Sequence, residues 1–148
     1  MNGLELLIFT VGGTVIGVDR QQVYGIITKE QAEEMEMDVI PLHRIIPFGR
    51  KSIHYRCPRA LLLKNDPSRA LLIESPDDII QAGIDSIRCL PPALAACNPV
   101  KAIWGVAMTG ERAAVLVDLD KLDITAGSQN RHIGFEQKIS TKNTGAIL

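Results

Sequence analysis

Four sets of residues have types and spacings that could carry chemistry. Gly12-Gly13, inside the run LELLIFTVGGTVIGVD at residues 4–19, could cradle a phosphate. His43, His54 and His132, with Cys57, Cys89 and Cys97, are side chains of the kind that hold zinc. Asp118, Asp120 and Asp123 imitate the opening of a calcium loop, and Asp77-Asp78 offers paired carboxylates for acid–base work.

Each set lacks something its chemistry needs. A phosphate cradle leads into a helix whose free amides face the anion. Gly12-Gly13 leads instead into the β-branched Thr14-Val15-Ile16, and Gly12, Gly13 and Gly17 miss the G-x-G-x-x-G order. The pair therefore reads as a tight hairpin turn with positive φ. No C-x-x-C or H-x-x-x-H spacing occurs, so no metal or organic cofactor is expected. The histidines read as ordinary surface residues, and Cys89 and Cys97, set among apolar neighbours, as inert core thiols. The aspartate run lacks the glycine at the sixth and the glutamate at the twelfth place of a calcium loop; Asp118 reads as the cap of a short helix over residues 119–122. No G-x-S-x-G elbow is present. An enzyme is disfavoured, one built on Asp77, Asp78 or a histidine being the rival.

The elements that would position such residues are strands. Residues 4–11 are apolar on both alternating faces, as in a strand covered on both sides. Asp19 can cap one helical turn, after which residues 23–27 (VYGII) read as a strand weakened by Gly25. Residues 28–38 carry five acidic groups and one lysine, which reads as a solvated loop or short helix. Residues 39–42 are proline-marked and at best an edge strand. Residues 60–64 and 69–74 form a second hairpin with a longer turn at 65–68, and residues 102–108 and 113–117 a third. At least seven short strands without a long amphipathic helix point to a closed or nearly closed antiparallel β structure.

Composition narrows the class. The 148 residues suit one domain, 46% of them are apolar, and sixteen basic against seventeen acidic residues leave a net charge of −1. That balance removes the cationic field of a nucleic-acid or anionic-membrane binder, and few aromatics remain for base stacking. No apolar run approaches the roughly 20 residues of a membrane span. Three cysteines without paired spacing fit reduced thiols. A cytoplasmic, soluble protein whose partners are proteins or small molecules is expected.

Taken in order, residues 9–19 (FTVGGTVIGVD) with Val23 and Ile26 resemble the opening of the CheW-like domain of bacterial chemotaxis coupling proteins, where an F-x-L-G-x-x-x-Y-x-[IV]-x hairpin leads into V-x-E-I. Residues 87–91 (IRCLP), 102–107 (AIWGVA) and 111–122 (ERAAVLVDLDKL) are similar to that family's closing elements. The likeness spans about residues 4–122. Between Ile27 and Phe48 the family's G-V-x-N-x-R-G strand pair is missing, Arg44 stands where an aspartate is usual, and Gly25 replaces the V-x-E-I glutamate.

The resemblance implies an all-β fold of two joined five-stranded SH3-like β-barrels sharing one core, the first shortened, with short helical turns. Residues 1–123 would form the domain and residues 124–148 a polar tail. The implied function is a non-enzymatic adaptor that couples the regulatory domain of a chemotaxis-type histidine kinase to receptors or other CheW-like proteins, with self-association through an unpaired edge as a further expectation. Val23, Tyr24, Ile26 and Leu42 are the candidate partner surface, with core packing as the alternative for all four. A small-molecule-binding β-barrel is the second rival.

Overall fold

The computed structural model describes residues 3–46, 52–93 and 100–123. Their strands are β1 (Gly3–Val11), β2 (Thr14–Asp19), β3 (Val23–Thr28), β4 (Asp38–Pro41), β5 (Pro58–Leu63), β6 (Asp66–Glu74), β7 (Asp78–Gly83), β8 (Ile87–Cys89), β9 (Ile103–Thr109) and β10 (Arg112–Val117); one short helix, α1 (Lys29–Glu34), joins β3 to β4. The expected tail at 124–148, together with His132, Cys97 and Phe48, lies outside the described residues.

β1 and β2 form the expected hairpin. Val11 pairs with Thr14, and Gly12 and Gly13 adopt φ of 59° and 83°, the left-handed values a two-residue turn between right-twisted strands requires. Gly17 answers to space instead, because a Cβ there would stand 3.1 Å from Leu116 Cδ2 and 3.3 Å from Ile8 Cδ1. After β2, Asp19 accepts the Gln21 amide and caps a single 3-10 turn, as its sequence suggests.

The strands divide into a six-stranded sheet, ordered β7-β1-β2-β10-β9-β8, and a four-stranded sheet, ordered β3-β5-β6-β4. The fold is all-β and SH3-like, with curled half-barrels in place of two even five-stranded rings. Residues 23–74 build the smaller sheet as an excursion between β2 and β7, so the first unit is the shortened one. Pairing is mostly antiparallel, but β10 runs parallel to β2 and β4 parallel to β6. Both exceptions join strands far apart in sequence, where turn chemistry gives no signal.

The acidic segment folds as α1 because Thr28 accepts the Gln31 amide while the Gln31 side chain accepts the Thr28 amide, a complete capping box. Ala32 is its buried residue, packed with Ala60, Leu62 and Ala70 on one face of the small sheet. The opposite face supplies Leu61, Leu63, Leu71 and Ile73 to a core shared with Leu7, Phe9, Val11, Ile16 and Val18 of the large sheet. A further core inside the large sheet holds Leu6, Ile8, Val15, Ala107, Ala114 and Leu116.

Three expectations change. The β5–β6 turn is shorter than its sequence suggests: strand pairing resumes at Leu63 and Asp66, and a bulge absorbs the register shift between Leu62 and Leu63. Cys89 is exposed because β8 is the terminal strand of its sheet, so its apolar neighbours in sequence do not enclose it. His43 is half-buried, with its Nδ1 3.0 Å from the Tyr55 hydroxyl.

Replacing Gly13 by Val is expected to destabilise the fold by about 1–3 kcal/mol through backbone strain alone, since no atom lies within 4 Å of a Cβ placed there. Gly13→Asn, which tolerates the left-handed region, should cost less. Urea denaturation of both variants checks this order, and an equal loss in the two would point to a steric cause.

Candidate functional site

Three of the four partner-surface candidates, Val23, Tyr24 and Ile26, converge on a groove at the seam between the sheets. It has a volume of about 430 Å³, and its walls include Leu7, Val23, Tyr24, Ile26 and Ile79, with Arg20 and Lys64 among its polar residues. Each side chain arrives there for a local reason. Leu7 pairs with Ile79 across β1 and β7, which places both on the face that meets the small sheet. Val23 and Ile26 lean on the shared core and are half-buried.

Tyr24 is different. The β3–β5 register slips between Val23 and Gly25, leaving Tyr24 as the bulged residue, and its side chain is 76% exposed. Ile79 is 47% exposed beside it. Two large apolar side chains thus stand in solvent on the two sides of one seam, each on a terminal strand of its sheet.

Leu42 does not join them. It is 1% exposed, in the shared core with Ile40 and Ile46, so its assignment to the surface is corrected. The cause is the 3-10 turn Leu42–Arg44 that follows β4 and turns the leucine inward while Arg44 stays outside. Among the residues that sequence reasoning missed, Leu7 and Ile79 become neighbours only through β1–β7 pairing. Arg20 and Lys64 come together through the Lys64 amide, which bonds the Gln22 carbonyl at 3.3 Å.

Gln22 fixes the seam. Its Nε2 donates to Asp118 Oδ1 at 2.8 Å and its Oε1 accepts the Leu119 amide at 2.9 Å, tying the entrance of β3 to the end of β10. Asp118 also accepts the Asp120 amide, the cap expected of it. Arg20 lies 3.7 Å from Glu5, an exposed pair of small energetic weight.

The acid–base candidates have structural partners. Asp77 accepts the Thr10 hydroxyl at 3.2 Å, and its own amide donates to Ile8 O at 2.7 Å; Asp78 accepts the Ile79 amide. Among the described residues no three His, Cys, Asp or Glu side chains are grouped to hold a metal ion. His43 and Tyr55 form a separate pair. Burial first, and the charge of Arg44 second, hold the His43 imidazole below its usual pKa, while burial pushes the Tyr55 phenol up.

No protein-family model and no curated protein matches the chain. Among solved structures, the scaffolding protein TtCheW from Thermoanaerobacter tengcongensis has the same fold: the TM-score is 0.62 over 80% of this chain and 86% of that one, at 16% identity. The architecture is that of a CheW-like domain. No helix of the described residues is long and apolar enough to cross a membrane.

Two measurements follow. Leu42→Ala should cost about 2–5 kcal/mol, as core truncations do, whereas Tyr24→Ala should stay within about 0.5 kcal/mol of the parent; equal losses would mean that Tyr24 is not the exposed residue described. For His43, the lowered folded pKa means that the unfolded chain binds the proton more readily, so stability is complete above the unfolded pKa near 6.5 and falls as pH drops below it. Urea midpoints between pH 7.5 and about pH 5 should fall less in His43→Gln than in the parent.

Proposed function

We propose that this protein is a non-enzymatic scaffold in chemotaxis-type signal transduction, and that it works by holding the regulatory domain of a histidine kinase beside a receptor or another adaptor. The observation that carries this reading is the seam groove with Tyr24 and Ile79 exposed on either side. Apolar side chains held in solvent by rigid strands are what a protein without a reaction offers a partner, since covering them contributes roughly 25 cal/mol per Å². The likeness to a scaffolding protein supports the same reading. Residues 1–123 would act as the domain and residues 124–148 as an appended segment, in the cytoplasm.

Val23, Tyr24 and Ile26 are the proposed partner contacts, and Leu42 acts only by supporting the core beneath them. The smaller sheet has four strands where the resemblance implies five, and the missing G-V-x-N-x-R-G pair is part of the surface that the family presents to receptors. Kinase binding should therefore outweigh receptor binding.

Titration calorimetry against a purified kinase regulatory domain and a receptor signalling fragment tests this. Binding to the kinase domain is expected, with weak or no heat from the receptor fragment. Tyr24→Ala should weaken the kinase complex about tenfold, or about 1.4 kcal/mol, while leaving the fold intact. Tight receptor binding with no kinase binding would overturn the assignment.

A further inference from the structure

We infer that the seam groove takes the tip of α1 from a second copy, so that copies join head to tail: Met35 seats against Tyr24 and Ile79, and Glu34 and Glu36 meet Arg20 and Lys64. The groove itself defines the chemistry of what fits it. It combines apolar walls with two cations, and no carboxylate is among its lining residues. Lys64 is exposed and makes no ion pair among the described residues, while Arg20 has only the exposed contact with Glu5 at 3.7 Å. A complementary partner presents a large apolar side chain beside carboxylates.

The chain displays such a feature. Among the described residues the exposed large apolar side chains are Tyr24, Met35, Ile79, Ile84 and Met108. Tyr24 and Ile79 belong to the groove. Of the rest, only Met35, 60% exposed, has a carboxylate on both sides in sequence, and Glu34 and Glu36 are exposed and make no ion pair among the described residues. The backbone holds this tip. The Glu36 amide donates to the Glu33 carbonyl and the Met37 amide to the Ala32 carbonyl, each at 3.0 Å, and Met37 packs against the Ala32 cluster, which together make a Schellman ending. Glu36 takes the left-handed place, φ 58°, that glycine or asparagine usually fills, so a carboxylate is kept where the backbone disfavours a side chain. A tip fixed by its own hydrogen bonds has little backbone freedom to lose on binding.

Tip and groove lie on opposite faces of the small sheet. α1 packs by Ala32 on the face that holds Ala60, Leu62 and Ala70, whereas Val23 and Ile26 of the groove lean on the core of the other face. One copy can therefore give its tip while receiving another, and a contact between two different patches continues into a chain or a ring. A methionine seated on a tyrosine and an isoleucine covers little area, so each contact is weak, with a dissociation constant on the order of 0.1 mM. Its charged part is weakened by salt. Where the scaffold reading also holds, a partner and a second copy compete for the groove; the assay below contains only this chain and does not depend on that reading.

Sedimentation equilibrium of the purified full chain, up to on the order of 1 mM, is the test. In about 50 mM salt the mean mass of the parent should climb past that of a dimer, and in about 500 mM salt it should fall back toward the monomer. Met35→Lys removes the tip and Tyr24→Asp spoils the groove; both positions are exposed, so circular dichroism should report intact folds, and each variant alone should stay monomeric. Their equimolar mixture should form a 1:1 complex that grows no further, because one variant keeps a working groove and the other a working tip. The substitutions move the net charge from −1 to 0 and −2, so no opposite net charges draw the two together. Lys64→Glu serves as a second groove variant should Tyr24→Asp not fold. Glu36→Gly should raise the urea midpoint yet weaken association about threefold. A parent that goes no further than a dimer at about 1 mM in low salt, association unchanged by Met35→Lys or by Glu36→Gly, or a mixture that stays monomeric or grows past the 1:1 complex would overturn the proposal.

Discussion

Burial of β1 on both faces is the constraint on which the rest of the structure depends. Leu7, Phe9 and Val11 face the core shared by the two sheets, while Leu6 and Ile8 face the interior of the large sheet. Because the side-chain period of a strand is two, a one-residue slip of β1 would exchange the two sets and spoil both cores at once. The Gly12-Gly13 turn sets its register on one side, and β7 pairs along its other side from Gly3 to Ile8. The small sheet is therefore an excursion with fixed ends. The chain leaves at Asp19 and must return to the free side of β1 through only three residues, 75–77, where Asp77 bonds both the Ile8 carbonyl and the Thr10 hydroxyl.

That geometry produces the seam and fills it unevenly. Where β1 meets the middle of the small sheet, leucines and isoleucines from both sides close the core. Toward Arg20 and Ile79 the sheets run out of facing side chains, and the groove opens. Gln22 keeps the opening from collapsing or widening: one side chain satisfies both Asp118 and the Leu119 amide, so the entrance of β3 cannot shift without leaving part-buried polar groups unpaired. A position with no periodic or motif signal thus places the three surface candidates more firmly than their own apolar character does.

What the sequence made legible follows from the range of each interaction. The glycine turn and the Asp19 and Asp118 caps rest on contacts within a few residues and are written in adjacent letters, whereas the equally local Thr28–Gln31 capping box lies in a segment that reads only as a loop or short helix. The division of strands between sheets, the parallel β2–β10 and β4–β6 contacts and the meeting of Leu7 with Ile79 are set by packing between distant segments, and no local pattern encodes them. Leu42 shows the difference within one residue. Its apolar type and its proline neighbour mark the end of an edge strand, but only the tertiary placement of the following turn decides that it faces inward. Cys89 shows the converse, an apolar neighbourhood in sequence at a strand that no described strand pairs with on its outer side.

The exposure of Tyr24 also bears on what kind of partner the groove suits. A small-molecule site buries about 70–90% of its ligand between walls that are themselves supported. Here one wall is a tyrosine with 76% of its surface in water and another is a half-exposed isoleucine, so a ligand of metabolite size would stay largely in water while fixing two exposed side chains. That ordering costs about 0.5–1.5 kcal/mol for each side chain immobilised, which a small contact area offsets poorly. A protein surface meets the same side chains with many more contacts, against which the same ordering cost weighs less. The balance of area against ordering is what favours a macromolecular partner at this seam over a small ligand.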